Sequence, residues 1–104
     1  MKKKTKRGPA EWKRLNILGC EVSIYRWPCG DGKIMFNAYA VIPDSQFLDS
    51  LALGNPTFRD GDEVGVDTAH KFNDTQPEGE KLMCALNEIE KIIMKAGAIL
   101  DWKL

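Results

Sequence analysis

The chain has 104 residues, 43% of them apolar, and 15 basic groups balance 15 acidic ones to a formal charge of zero. That length supports one domain with one modest core and leaves no room for a second. Its longest apolar runs, Ile34–Phe36 and Ile92–Met94, fall far short of the roughly 20 residues that span a bilayer, which excludes a transmembrane helix.

Residues 1–9 form a basic arm: Lys2, Lys3, Lys4, Lys6 and Arg7 lead into Gly8-Pro9 without an apolar anchor, so the segment is expected to be flexible. A signal peptide would need an apolar stretch where Gly8-Pro9-Ala10-Glu11 stands, and the expectation is a cytoplasmic protein. Cys20, Cys29 and Cys84 are an odd set without Cys-x-x-Cys spacing, which fits reduced thiols in that compartment. Residues 10–104 are then a single α+β domain. Trp12 and Leu15, three apart, predict a short helical turn over 11–16. Cys20–Trp27 alternates, with Cys20, Val22 and Ile24 on one face and Glu21, Ser23, Tyr25 and Trp27 on the other, which predicts a strand ended by Pro28. The Gly-rich turn 29–32 leads into a second strand, Lys33 to Ile42, with Ile34, Phe36, Ala38 and Ala40 inward, and the pair predicts a hairpin.

Pro43-Asp44-Ser45 breaks that strand and offers Asp44 or Ser45 as the N-cap of a short helix containing Phe47, Leu48 and Leu51, stopped by Gly54-Asn55-Pro56. Thr57–Arg59 and Glu63–Val66 around Asp60-Gly61-Asp62 predict a second hairpin. Gly65 inside its strand marks a close approach by another backbone or a ligand. Pro77, Glu78 and Glu80 open an amphipathic helix running to about Ala96. Its apolar face is Leu82, Ala85, Leu86, Ile89, Ile92, Ile93 and Ala96, with Lys81, Asn87, Glu88, Glu90, Lys91 and Lys95 opposite. Gly97 is expected to cap it, and Ala98–Leu104 to add a C-terminal strand. The sum is a mainly antiparallel sheet of two hairpins packed by one long helix.

The charge is segregated. Outside the arm, residues 8–104 carry 10 basic against 15 acidic groups, and residues 44–80 carry 9 acidic against 2 basic. Such a field repels phosphate backbones and attracts cations or basic proteins, so nucleic acid is expected only at the arm. Asp67, His70 and Asp74 fall within eight residues. Two carboxylates and an imidazole suit a divalent cation or acid–base chemistry, the route to a small metal-dependent hydrolase. They equally suit a loop in which Asp67 orients His70 toward a ligand or toward local backbone. The cysteines with His70 match no zinc-site spacing, so neither metal nor cofactor is expected. Phosphate loops, nucleophile elbows and dinucleotide fingerprints are missing, and no catalytic residue is assigned. Tyr25 and Trp27, on the strand face away from the helix, could stack a flat ligand or join a small apolar cluster.

The stretch Glu63-Val-Gly-Val-Asp-Thr-Ala-His-Lys-Phe-Asn-Asp74, with Asn37-Ala-Tyr-Ala-Val-Ile-Pro43 before it, resembles small uncharacterised phage and prophage proteins with a Gly-Phe-Asp-Cys-Ala-His signature. The matching positions are Gly65, Asp67, Ala69, His70 and Asp74, with Tyr39 and Pro43 upstream. Val66 and Thr68 stand where the signature has its aromatic and cysteine, and its preceding His-Gly-Gly strand has no counterpart near Thr57. The resemblance implies an accessory protein that occupies a host defence protein or sequesters a small nucleotide-like signal. The resulting expectation is a non-enzymatic binder using Asp67, His70, Asp74, Tyr25 and Trp27, with an acidic nucleic-acid mimic as a further alternative.

Overall fold

The computed structural model describes residues 11–29, 33–67 and 77–100, with Cys29 and Lys33 as backbone only. Strands β1 (Glu11–Ile17), β2 (Cys20–Cys29), β3 (Lys33–Val41), β4 (Phe58–Asp60) and β5 (Glu63–Asp67) precede one helix, α1 (Glu78–Leu100). All strand pairs are antiparallel, in the order β1-β2-β3-β5-β4. The fold is α+β: one five-stranded sheet with one helix packed on it.

Residues 11–17 are a strand, not the helical turn that Trp12 and Leu15 suggest. Leu18 (φ 51°) and Gly19 (φ 87°) form a two-residue turn of the kind that closes tight hairpins, and Gly19 N–H donates to Asn16 Oδ1 at 2.9 Å. The apolar spacing of three arises from a bulge between Glu11 and Lys13. One extra residue shifts the side-chain parity, so Trp12 meets the core residue Phe36, ring centroids 5.5 Å apart, while Leu15 stays opposite Val22.

The β2–β3 hairpin pairs Glu21 with Val41 through to Cys29 with Lys33, and its turn, 30–32, lies outside the described residues. Pro28 sits within β2 opposite Ile34 instead of ending it. Among the described residues β1 pairs with β2 only as far as Tyr25, so Pro28 lies beyond the described β1–β2 ladder. The β4–β5 hairpin forms where Asp60-Gly61-Asp62 predicts it. With β1–β2 the sheet has three hairpins.

The core lies between sheet and helix: Val22, Ile24, Phe36, Ala38, Ala40, Val64 and Val66 face Ala85, Ile89, Ile92, Ile93 and Ala96. The expected apolar stripe of α1 is the buried one. Its ends differ from expectation. Gly97 is buried inside the helix and 98–100 are helical, because Ala98, Ile99 and Leu100 are compatible with helix and the buried stripe continues through Ala96 and Gly97. Residues 101–104 lie outside the description. Lys81, expected on the solvent side, is 3% exposed, and its Nζ donates to the Ile34 carbonyl at 3.0 Å. Its aliphatic stem covers the sheet while the ammonium finds a main-chain acceptor at the start of β3.

The segment between β3 and β4 is a pinned loop containing a single 3-10 turn, Ser45–Phe47, in place of a short helix. Asp44 precedes the turn with φ 68° and makes no capping bond, while Ser45 is buried and its Oγ donates to the Asp62 carbonyl. Leu53 enters the core, whereas Phe47 and Leu51 are exposed. The described residues include no helix long and apolar enough to cross a membrane.

Candidate functional site

Strand parity gives the sheet two unlike faces. Even-numbered positions of β2, β3 and β5 meet α1, and odd-numbered ones form the face that α1 leaves uncovered. Tyr25 and Trp27 of β2, Asn37 and Tyr39 of β3, and Asp67 of β5 fall on this second face. Tyr25 is opposite Asn37, and Asn37 is opposite Asp67, so one rung carries all three. Phe58 of β4 pairs with Gly65 and joins the same face.

The aromatic groups are locked to one another. Tyr25 meets Tyr39 edge-on at 5.4 Å between centroids, and Tyr39 meets Phe58 edge-on at 5.2 Å, a geometry favoured by the ring quadrupoles. Trp27 Nε1–H donates to Asn37 Oδ1 at 3.0 Å, and Asn37 Nδ2–H donates to the Tyr39 hydroxyl at 3.2 Å. Asn37 therefore fixes the indole and one phenol together. Gly65 explains how the ring of Tyr39 lies flat enough to be buried at 7% exposure. A Cβ there would overlap Tyr39 Cδ2 and stand 2.6 Å from Cε2. The close approach expected at Gly65 is thus made by a neighbouring side chain.

Three of the five residues proposed from sequence, Tyr25, Trp27 and Asp67, come together on this face; His70 and Asp74 lie outside the described residues. Among the described residues, no group of three His, Cys, Asp or Glu side chains could hold a metal ion. Asn37, Tyr39 and Phe58 were not singled out from sequence as site residues. Parity marks Asn37 and Tyr39 as opposite to Phe36 and Ala38, but Phe58 joins only once β4 and β5 are in register. The patch offers ring faces, an amide and a carboxylate, groups suited to apolar contact and hydrogen bonding.

Charge around the patch is mostly negative and partly neutralised locally. Arg14, on the same face opposite Ser23, donates to Glu11 and, at 2.8 Å, to Glu21, and these carboxylates push its pKa further up. On the helix side Arg26 Nε donates to Glu78 at 2.5 Å, tying β2 to the first turn of α1. That bond holds the Glu78 carboxyl below the usual carboxylate range. Cys20 is buried in the core, and burial pushes its thiol pKa up, away from the reactive thiolate.

No protein-family model matches the chain, and neither a curated protein nor a solved structure matches it.

Proposed function

We propose that the chain is a non-enzymatic binding protein of phage or prophage origin that occupies a host protein through the helix-free face of its sheet. The observation that carries this reading is the Tyr25–Tyr39–Phe58 aromatic layer, held by Trp27–Asn37–Tyr39 hydrogen bonds on a face that α1 does not cover. Aromatic side chains that are already ordered lose little entropy when a partner covers them, which is why they anchor protein interfaces. Asp67 at one end of the central rung adds a hydrogen-bond acceptor.

A protein partner fits better than a nucleotide signal. Phosphates need cations, and Arg14 on this face is already engaged by Glu11 and Glu21. Native mass spectrometry of the protein purified from its natural source, with and without chelator, tests the reading. The expected species is a stoichiometric complex with another polypeptide that survives chelation. A bound nucleotide would move the reading to ligand sequestration, and one equivalent of metal with chelator-sensitive hydrolysis would replace it with an enzyme.

A further inference from the structure

The sheet ends in β1, and among the described residues no strand pairs with its outer edge. Glu11 to Asn16 are exposed throughout, and α1 packs mainly over β3 and β5, away from this edge. The Leu18-Gly19 turn fixes which main-chain groups point outward. In a hairpin with a two-residue turn the flanking pair, Ile17 and Cys20, exchanges both hydrogen bonds, and bonded pairs then recur at every second residue. Ile17, Leu15 and Lys13 therefore bond to β2, while Asn16 and Arg14 turn their N–H and C=O groups away from it.

An open edge of this kind is a template for another strand, and its side chains select which strand fits. Trp12, Leu15 and Leu18 are 41%, 37% and 43% exposed, and the bulge puts Trp12 on the helix side of β1 together with Lys13, Leu15 and Ile17. This pattern is symmetric about Leu15. When two β1 strands are set antiparallel with Leu15 on the axis, Leu15 meets its own copy, Ile17 meets Lys13 and Leu18 falls beside Trp12, so the exposed apolar groups cover one another. On the other side Arg14 stands opposite Asn16, whose neighbour across the β1–β2 ladder is Glu21, so a guanidinium approaches a carboxylate. The same register brings together Arg14 and Asn16, the two residues whose main-chain groups face outward. Moving the axis to Arg14 would set two guanidinium groups opposite each other and Leu15 against Lys13, and a one-residue slip would oppose outward to inward groups. The features that blunt edges act little on this stretch: the bulge is confined to Glu11–Lys13, and Arg14 is paired with Glu11 and Glu21.

We infer that β1 is a self-association edge, through which two copies of the chain pair antiparallel about Leu15 and join their five-stranded sheets into one continuous sheet. The two-fold axis then runs perpendicular to the sheet, so both Tyr25–Trp27 faces point the same way. This goes beyond the reading of that face and rests on different residues. A ladder this short belongs with the small, weak interfaces, and the expected dissociation constant is about 10–100 μM.

Sedimentation velocity on the full chain between ~1 and ~500 μM tests the inference, with far-UV circular dichroism to check that each variant is folded. The wild type should pass from monomer to dimer across that range and go no further. Leu15→Lys and Leu15→Glu each place like charges face to face on the axis, and each alone should dimerise at least about tenfold more weakly. Mixed in equal amounts, the two variants should regain a dimer, because opposite charges then meet at the axis. The inference is overturned by a wild type that stays monomeric throughout, by assembly that grows beyond dimers, by a Leu15→Lys chain that dimerises like the wild type, or by a mixture that fails to dimerise. Tyr25→Ala/Trp27→Ala, which lies off this edge, should dimerise like the wild type, so loss of self-association and loss of sheet-face binding are read separately.

Discussion

Gly65→Ala reports directly on the layer that the sheet face is built from. Gly65 has no positive φ, so alanine meets no backbone penalty there; at a strain-free site the change would stabilise by about 0.4–1 kcal/mol through the unfolded chain. The space decides otherwise. The new methyl would overlap the Tyr39 ring and lie 3.2 Å from the Ala38 carbonyl oxygen. Tyr39 must tilt away, loosening its bond from Asn37 and its edge contacts with Tyr25 and Phe58. Overpacking of this kind costs about 1–3 kcal/mol. With a urea m-value of about 1–1.5 kcal/mol/M for a chain this small, the midpoint should fall by roughly 0.7–3 M. Urea unfolding followed by far-UV circular dichroism gives the number. In a Tyr39→Ala background, where the ring is gone, the same substitution should cost under about 0.5 kcal/mol. A midpoint that stays or rises, or an equal cost in both backgrounds, would refute the packing described.

Ile89→Ala should destabilise by about 2–5 kcal/mol in the same assay, since Ile89 is fully buried at the centre of the α1–sheet core. Lys81→Ala should cost about 1–2 kcal/mol through the lost stem packing and the bond to the Ile34 carbonyl, whereas Lys91→Ala on the exposed side should stay within about 0.5 kcal/mol. Glu78 has its folded-state pKa depressed by Arg26, so its contribution is present above the ordinary glutamate value of about 4.3 and is lost as pH falls through the lower folded value. Thermal midpoints of wild type and Glu78→Gln should therefore differ at neutral pH and converge below about pH 4; a constant difference would mean that the pair does not contribute.

Most of the architecture follows from periodicity. The helix is readable because Ala85, Ile89, Ile92, Ile93 and Ala96 repeat at three and four, and β2 and β3 because their alternation flanks a glycine-rich turn. Reading fails where one pattern has two physical sources. Trp12 and Leu15 are three apart both on a helix and across a bulged strand, and only pairing with β2 separates the cases. Gly97 carries the same residue type as a helix cap, yet the buried stripe beyond it keeps the chain helical. In the β3–β4 loop the sequence lists Phe47, Leu48, Leu51 and Leu53 as equally apolar. Arg59 and Asp62, 9 to 17 residues further along, tie down Ser45, Gln46, Leu48 and Ser50, and in the loop so held Leu53 is buried while Phe47 and Leu51 are exposed. The sheet face was legible as far as Tyr25 and Trp27, whose parity with Glu21 and Ser23 is local. The lock between Tyr39 and Gly65 was not, because it depends on β5 lying beside β3, a neighbour relation that no local signal encodes.

The most direct measurement of the proposed role is the affinity of the isolated partner polypeptide for the wild-type chain and for Tyr25→Ala/Trp27→Ala, by calorimetry, with thermal midpoints recorded alongside. If the helix-free face is the binding surface, the double variant should remain folded and bind at least about tenfold more weakly, as expected when two aromatic anchors leave an interface. An unchanged dissociation constant in the folded double variant would contradict it.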